Sequence, residues 1–116
     1  NLFSAYAPHK TLKAMLEKYK LTDEEVLQSV NVSAEVWNGI LRGKYLPSKN
    51  MIFSLALVGR LYFEDVQALL SLCGYALDNA CVKDVVLSYL LQEKVFNPTM
   101  VARALTESRV ENLFLK

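Results

Sequence analysis

Four cations fall in one acid-free window of this chain. Between Glu35 and Glu64 there is no Asp or Glu, while Arg42, Lys44, Lys49 and Arg60 all lie inside it. Their chemistry is electrostatic. A local group of ammonium and guanidinium ions binds phosphate oxygens and releases counterions even where the whole chain is close to neutral. The formal net charge is only +1, so overall balance implies no polyanion partner and the local distribution must carry that reading. Asn38, just upstream, presents an amide that donates and accepts at once, which suits a base edge or a phosphate. Lys10 and Lys13 are further cations that can flank such a surface.

Other chemistries lack their parts. His9 is the only histidine, near a predicted helix start, and reads as a surface residue. The spacing of Cys73 and Cys81 matches no zinc pattern, so two reduced thiols in or near the core are expected. There is no carboxylate pair arranged for acid–base work, no glycine-rich phosphate loop and no nucleophile–base arrangement. Asp23-Glu24-Glu25 is explained by helix capping and the helix dipole. No enzyme activity, cofactor or metal is therefore expected. Asn31-Val32-Ser33 matches a glycosylation sequon but falls in a predicted turn. The longest apolar run, 51–58, is interrupted by Ser54 and is too short to span a bilayer. No signal peptide is visible. A cytoplasmic protein without membrane attachment is expected. The first residue is not methionine, which points to a trimmed start or a fragment of a longer protein.

The elements that position these residues are helices. A chain of 116 residues suits one compact domain, burying roughly 65% of its unfolded surface. Apolar residues recur at helical spacing nearly throughout, and no segment alternates as a half-buried strand does. Pro8 suits the first turn of helix one, whose stripe is Leu12, Met15, Leu16 and Tyr19. Thr22 and Glu25 form a capping box for helix two, with Val26, Leu27 and Val30 inward. Asn31 makes the turn, and Ser33 caps helix three, which carries Val36, Trp37, Ile40 and Leu41. Gly43 stops that helix and Pro47 blocks a restart before Ser48.

Helix four is expected over 48–60, with Met51, Ile52, Leu55 and Ala56 inward, and helix five over 63–72, closed by Gly74. Helix six is expected over 81–93, with Val82, Val85, Val86, Tyr89 and Leu90 on its apolar side and Lys83-Asp84 as a helix-end charge pair. Asn97-Pro98-Thr99 opens helix seven. The apolar tail, with Val110, Leu113, Phe114 and Leu115, is expected to dock. Leu2, Phe3 and Tyr6 pose the same choice between docking on this domain and meeting a partner.

The stretch 21–48, two short helices around a tight turn followed by Arg42-Gly43-Lys44 and Pro47-Ser48, has the layout of a helix-turn-helix. With Leu21-Thr22, Val32-Ser33, Ile40 and the later Leu55-Ala56, it resembles the XRE-type domain of the lambda repressor and Cro group. The resemblance covers about half the chain. It implies an all-α fold: a five-helix domain over 10–73, after an N-terminal segment 1–9, with about two further helices in an extension over 74–116 that shares its core. The second half is similar to the helical extensions of some bacterial XRE-like proteins. There a Leu-Leu pair precedes a glycine, as Leu69-Leu70 precede Gly74, and a Lys/Arg-Asp pair opens an apolar helix, as Lys83-Asp84 do.

The resemblance further implies double-stranded DNA as partner. Arg42, Lys44 and Lys49 would hold phosphates, and Ser33, Glu35 and Asn38 would face the groove. The reading positions match Ser33, Ala34, Glu35 and Gly39, of which Ala34 and Gly39 offer no side-chain hydrogen bond. Asp23 stands where the family often has a phosphate-binding glutamine, Leu27 replaces a small alanine, and Leu41 replaces a common glutamate. Three or four cationic contacts give a salt slope of about −3, hence roughly 60-fold weaker binding between 50 and 200 mM salt. A single module of this kind needs a dimer or a second module. Two readings follow. One is a DNA-binding transcriptional regulator, with a homodimer as one route to affinity. The other is a degenerate helix-turn-helix that serves as a protein interaction module or adaptor without sequence-specific DNA binding.

Overall fold

Thr22, Ser33 and Asn97 each cap the helix they are expected to open, and Ser48 caps a fourth. In the computed structural model, which describes residues 7–111 and 113–116, α1 spans Pro8–Lys18 with Pro8 in its first turn. α2 spans Asp23–Ser29, and Thr22 Oγ1 accepts from the Glu25 amide at 3.2 Å. α3 spans Ala34–Leu41, and Ser33 Oγ accepts from Val36 at 3.1 Å. α4 spans Lys49–Gly59, where Ser48 Oγ accepts from Met51 at 3.1 Å. α5 spans Phe63–Leu72, α6 Val82–Gln92 and α7 Pro98–Glu107, the last capped by Asn97 Oδ1 accepting from Thr99 and Met100. Each cap satisfies backbone donors that the helix itself cannot. The fold is all-α, with seven helices and no strand among the described residues.

α4 is the central element. Each residue of 51–57 is buried, including Ser54, as expected for a helix apolar on all sides. Ser54 is tolerated because its hydroxyl donates to the Asn50 carbonyl at 2.8 Å and accepts from the Phe114 amide at 2.9 Å. α2, α5 and α6 pack on α4, while α1 packs on α3 and α5, and α7 packs on α6. One hydrophobic cluster runs from Leu12 through Phe53 to Leu105, so the first five helices and the last two share a core. Cys73 is buried and Cys81 partly so, both as free thiols, and burial pushes the Cys73 thiol up. Among the described residues no helix is long and apolar enough to cross a membrane.

The rotation of α6 differs from the sequence expectation. Its inner face is Asp84, Leu87, Leu90 and Leu91. Val82, Val85 and Tyr89 lie exposed on the opposite side, and Val86 is only partly buried. The helix is apolar nearly all round, so hydrophobic periodicity does not select a face. Asp84 selects it. Its carboxylate receives Lys49 Nζ at 2.6 Å and the Asp78 amide at 2.8 Å, which turns 84, 87 and 91 inward together. Lys83 and Asp84 are thus not a pair: Lys83 Nζ donates to Asn50 Oδ1 at 3.1 Å. A smaller difference is Val36, which is exposed on α3.

The tail docks as expected. Val30 and Leu115 form an isolated antiparallel bridge at the α2–α3 turn. The Asn31 amide donates to the Phe114 carbonyl at 2.5 Å, and the Lys116 amide donates to the Ser29 carbonyl at 3.0 Å. Lys116 Nζ donates to the Leu27 carbonyl at 2.7 Å. Leu2, Phe3 and Tyr6 lie outside the described residues.

A polar knot ties α1 to α5. Lys18 Nζ meets Asp65 Oδ2 at 2.8 Å, Tyr19 Oη donates to the same oxygen, and the Tyr62 amide donates to Tyr19 Oη at 3.0 Å. Lys18, then Tyr19, hold the Asp65 carboxyl below the usual carboxylate range, and burial together with this bond raises the Tyr19 phenol. A folded-state value below the unfolded one gives stability that is complete above the unfolded pKa and disappears as pH falls through the folded one. The Asp65→Asn protein is therefore expected to melt slightly below the wild type at neutral pH, the gap being small because Lys18 is well exposed. The gap should close as pH drops below about 4. Paired thermal melts across that range check it, and a gap independent of pH would refute the assignment.

Candidate nucleic-acid interface

One side-chain hydrogen bond joins α3 to α2. The Trp37 indole, 1% exposed in α3, donates from Nε1 to Asp23 Oδ1 at 3.0 Å. Asp23, which looked misplaced for contact with a phosphate, thus caps the tryptophan at the start of α2. The indole nitrogen needs an acceptor once the ring is buried, and this carboxylate supplies it.

The outer side of α3 is open. Ser33, Ala34, Glu35 and Asn38 are all exposed, and α3 packs chiefly on α1. Ser33 keeps its capping bond to Val36, so its hydroxyl has its proton and a lone pair left for other contacts. Gly39 departs from the sequence expectation. It is buried, and a Cβ built on it would overlap the Tyr45 ring, which folds back over α3. Its carbonyl accepts from the Lys44 amide at 2.8 Å and the Tyr45 amide at 3.3 Å. Gly39 is the seat of the exit loop and no part of a reading face.

That loop turns on Gly43, whose φ of +81° suits glycine. A Cβ there would come within 2.7 Å of His9 Nδ1, so the first turn of α1 lies directly against the loop. This places the α1 N-terminus, where Lys10 follows His9, next to Arg42 and Lys44. The α1 cations Lys10 and Lys13 are exposed, as are Arg42 and Lys44. The loop's far end is fixed by the Tyr75 hydroxyl, which donates to the buried Pro47 carbonyl at 2.9 Å. Among the described residues the ion pairs are Lys18–Asp65, Lys49–Asp84 and Arg103–Glu107, so none engages Arg42 or Lys44. Lys44 Nζ lies 5.4 Å from the centroid of the neighbouring Tyr45 ring, a weak cation–π contact that leaves its charge exposed.

Lys49 corrects the sequence expectation. Its ammonium is held by Asp84 Oδ2 and the Ala76 carbonyl, both at 2.6 Å. Asp84 is only 3% exposed, and a buried carboxylate requires a counter-charge. Lys49 is thus directed toward the extension and neutralised within it. Neither this pairing nor the His9–Gly43 contact had a clue in the sequence, because nothing local relates residues so far apart.

The arrangement amounts to an open helical face with a neutral-to-acidic start at Glu35, bordered by two free loop cations and the basic start of α1. It can hold phosphates, and it offers Ser33, Glu35 and Asn38 to whatever lies between them. Among the described residues no group of three or more His, Cys, Asp or Glu could hold a metal ion. Comparison of the chain with protein-family models, curated proteins and solved structures finds no match.

Proposed function

We propose that the chain is a DNA-binding transcriptional regulator, with α1 to α5 as a lambda-repressor-like helix-turn-helix domain and α6 and α7 as a packed extension. The observation that carries this reading is the uncovered outer face of α3 beside two cations, Arg42 and Lys44, that no acid of the described chain neutralises. In this reading Arg42 and Lys44 hold phosphates with help from Lys10 and Lys13, and Ser33, Glu35 and Asn38 face the groove. Few side chains remain for base readout. Binding then rests mainly on the phosphate backbone, and a second copy supplies the affinity that one module lacks.

Fluorescence anisotropy with a mixed-sequence duplex at about 50 and 200 mM salt is the test. The wild type should bind at tens of micromolar or better in the lower salt. The Arg42→Ala/Lys44→Ala protein should bind several-fold more weakly, with a salt slope smaller by about 2. Undetectable wild-type binding at low salt would discard the reading.

A second reading has its own observation. Val36, Tyr45 and Leu46 are 42%, 41% and 55% exposed around the same face. With Glu35 they make a mixed apolar and acidic border that suits a protein partner better than a polyanion. In this reading the helix-turn-helix is an interaction module, and the anisotropy titration separates the two.

A further inference from the structure

α6 carries an apolar stripe that stays uncovered among the described residues. Val82, Val85 and Tyr89 are 61%, 48% and 61% exposed, and their i, i+3, i+7 spacing sets them on one side of the helix. The stripe is also free of charge. Val82–Gln92 contains two charged residues, Lys83 and Asp84, and both are drawn elsewhere. Asp84 is buried on Lys49, and Lys83 Nζ reaches Asn50 Oδ1 on α4 at 3.1 Å. A groove of about 490 Å³ borders the stripe at Val85 and Tyr89, where the partly buried Phe63 and Leu77 add apolar surface.

We propose that this face pairs with the same face of a second copy, helix against helix and antiparallel about a two-fold axis. Near such an axis a side chain meets its own copy, so a charge there would repel itself. The α6 stripe has no charge to oppose. The sizes also fit. The midpoint between Val82 and Tyr89 falls at residues 85 and 86. An axis there lays the large Tyr89 ring over the smaller Val82 of the second copy, and the reverse, with Val85 at the centre. A charged partner would find no counter-charge on this side. Two helices of this length bury less than a standard interface, which takes about 800 Å² per partner. The dimer is therefore a weak one. It would furnish the second copy that the DNA-binding reading calls for, yet it forms without DNA and stands apart from that reading.

Sedimentation equilibrium of the whole chain without DNA tests it. The wild type should dimerise with a Kd on the order of 100 µM, as suits a small interface. Val85→Glu sets two carboxylates beside the axis and should weaken association by about tenfold or more. Mixing two variants tests the antiparallel register. Val82→Lys or Tyr89→Glu alone disturbs both Val82–Tyr89 contacts of its own dimer. An equimolar mixture keeps one such contact intact and sets the new cation against the new carboxylate at the other. It should associate roughly threefold more tightly than either variant alone. Met100→Gln, at an exposed apolar position of α7 outside the stripe, should associate as the wild type does. Circular dichroism verifies that each variant is folded.

A wild-type chain that stays monomeric at about tenfold that concentration would overturn the proposal and leave the face to a different molecule. So would wild-type association in folded Val85→Glu, or loss of association in Met100→Gln. A mixture no tighter than its components would overturn the antiparallel pairing. Should Val85→Glu fail to fold, the wild-type titration and the mixture decide alone.

Discussion

Lys49→Met is expected to lower folding stability by about 3 kcal/mol, the lower end of what breaking a buried ion pair costs. The substitution keeps most of the aliphatic volume and removes only the ammonium. Asp84, with its side chain 4% exposed, then keeps the Asp78 amide as its remaining partner. The lower end applies because Lys49 itself is 27% exposed, so water reaches the pair from one side. Urea titration followed by far-UV circular dichroism measures the loss. Adding Asp84→Asn should recover more than half of it, because the stranded charge has gone, and the cycle of single and double variants gives the coupling directly. The functional arm is equally sharp. Folded Lys49→Met protein should show the wild-type salt slope on DNA, in contrast to the Arg42/Lys44 double variant. A reduced slope without a stability loss would return Lys49 to the phosphate contacts.

Trp37→Ala is expected to cost about 4 kcal/mol, in the range for emptying a large aromatic site. Trp37 is 1% exposed, and no neighbour can collapse into its place without moving α3. The hydrogen bond to Asp23 adds little to the total, because Asp23 is exposed and regains water when the indole leaves. Trp37→Phe isolates that bond and the smaller ring, and should cost about 1–2 kcal/mol. Denaturant midpoints by circular dichroism are the measurement, since Trp37 is the sole tryptophan and both variants lose the fluorescence signal. Set against the 5–15 kcal/mol typical of a domain, the alanine variant stands near the limit of folding at body temperature. A loss below about 1 kcal/mol would mean that the indole is not the pin between α2 and α3.

The local grammar of this fold was legible, and its distant pairings were not. Thr22, Ser33, Ser48 and Asn97 announce helix starts because capping is a matter of three neighbouring residues. Gly43 and Pro47 mark the exit loop for the same reason. The face of α6 was not legible, since Val82, Val85 and Tyr89 compete on hydrophobicity with Leu87, Leu90 and Leu91. What decides is a charge on α4, 35 residues away. Gly39 was misread because its place on the helix says nothing of Tyr45, which returns over it after the turn. Arg42 and Lys44 stay exposed with no acidic partner, as an acid-free window suggests. Lys49 does not, because its acid comes from the extension. Charge patterning along a chain finds free cations only when the neutralising acid is also local.

The bridge between Val30 and Leu115 has a consequence for the order in which the molecule matures. Lys116 and Leu27 are 89 residues apart, and contacts of such separation close slowly because most of the chain must be ordered first. During synthesis the first five helices leave the ribosome well before residues 113–116. Until those residues arrive, the Asn31 amide and the Ser29 carbonyl have only water for partners in place of Phe114 and Lys116. Residues 113–116 are the latch that completes the turn between α2 and α3.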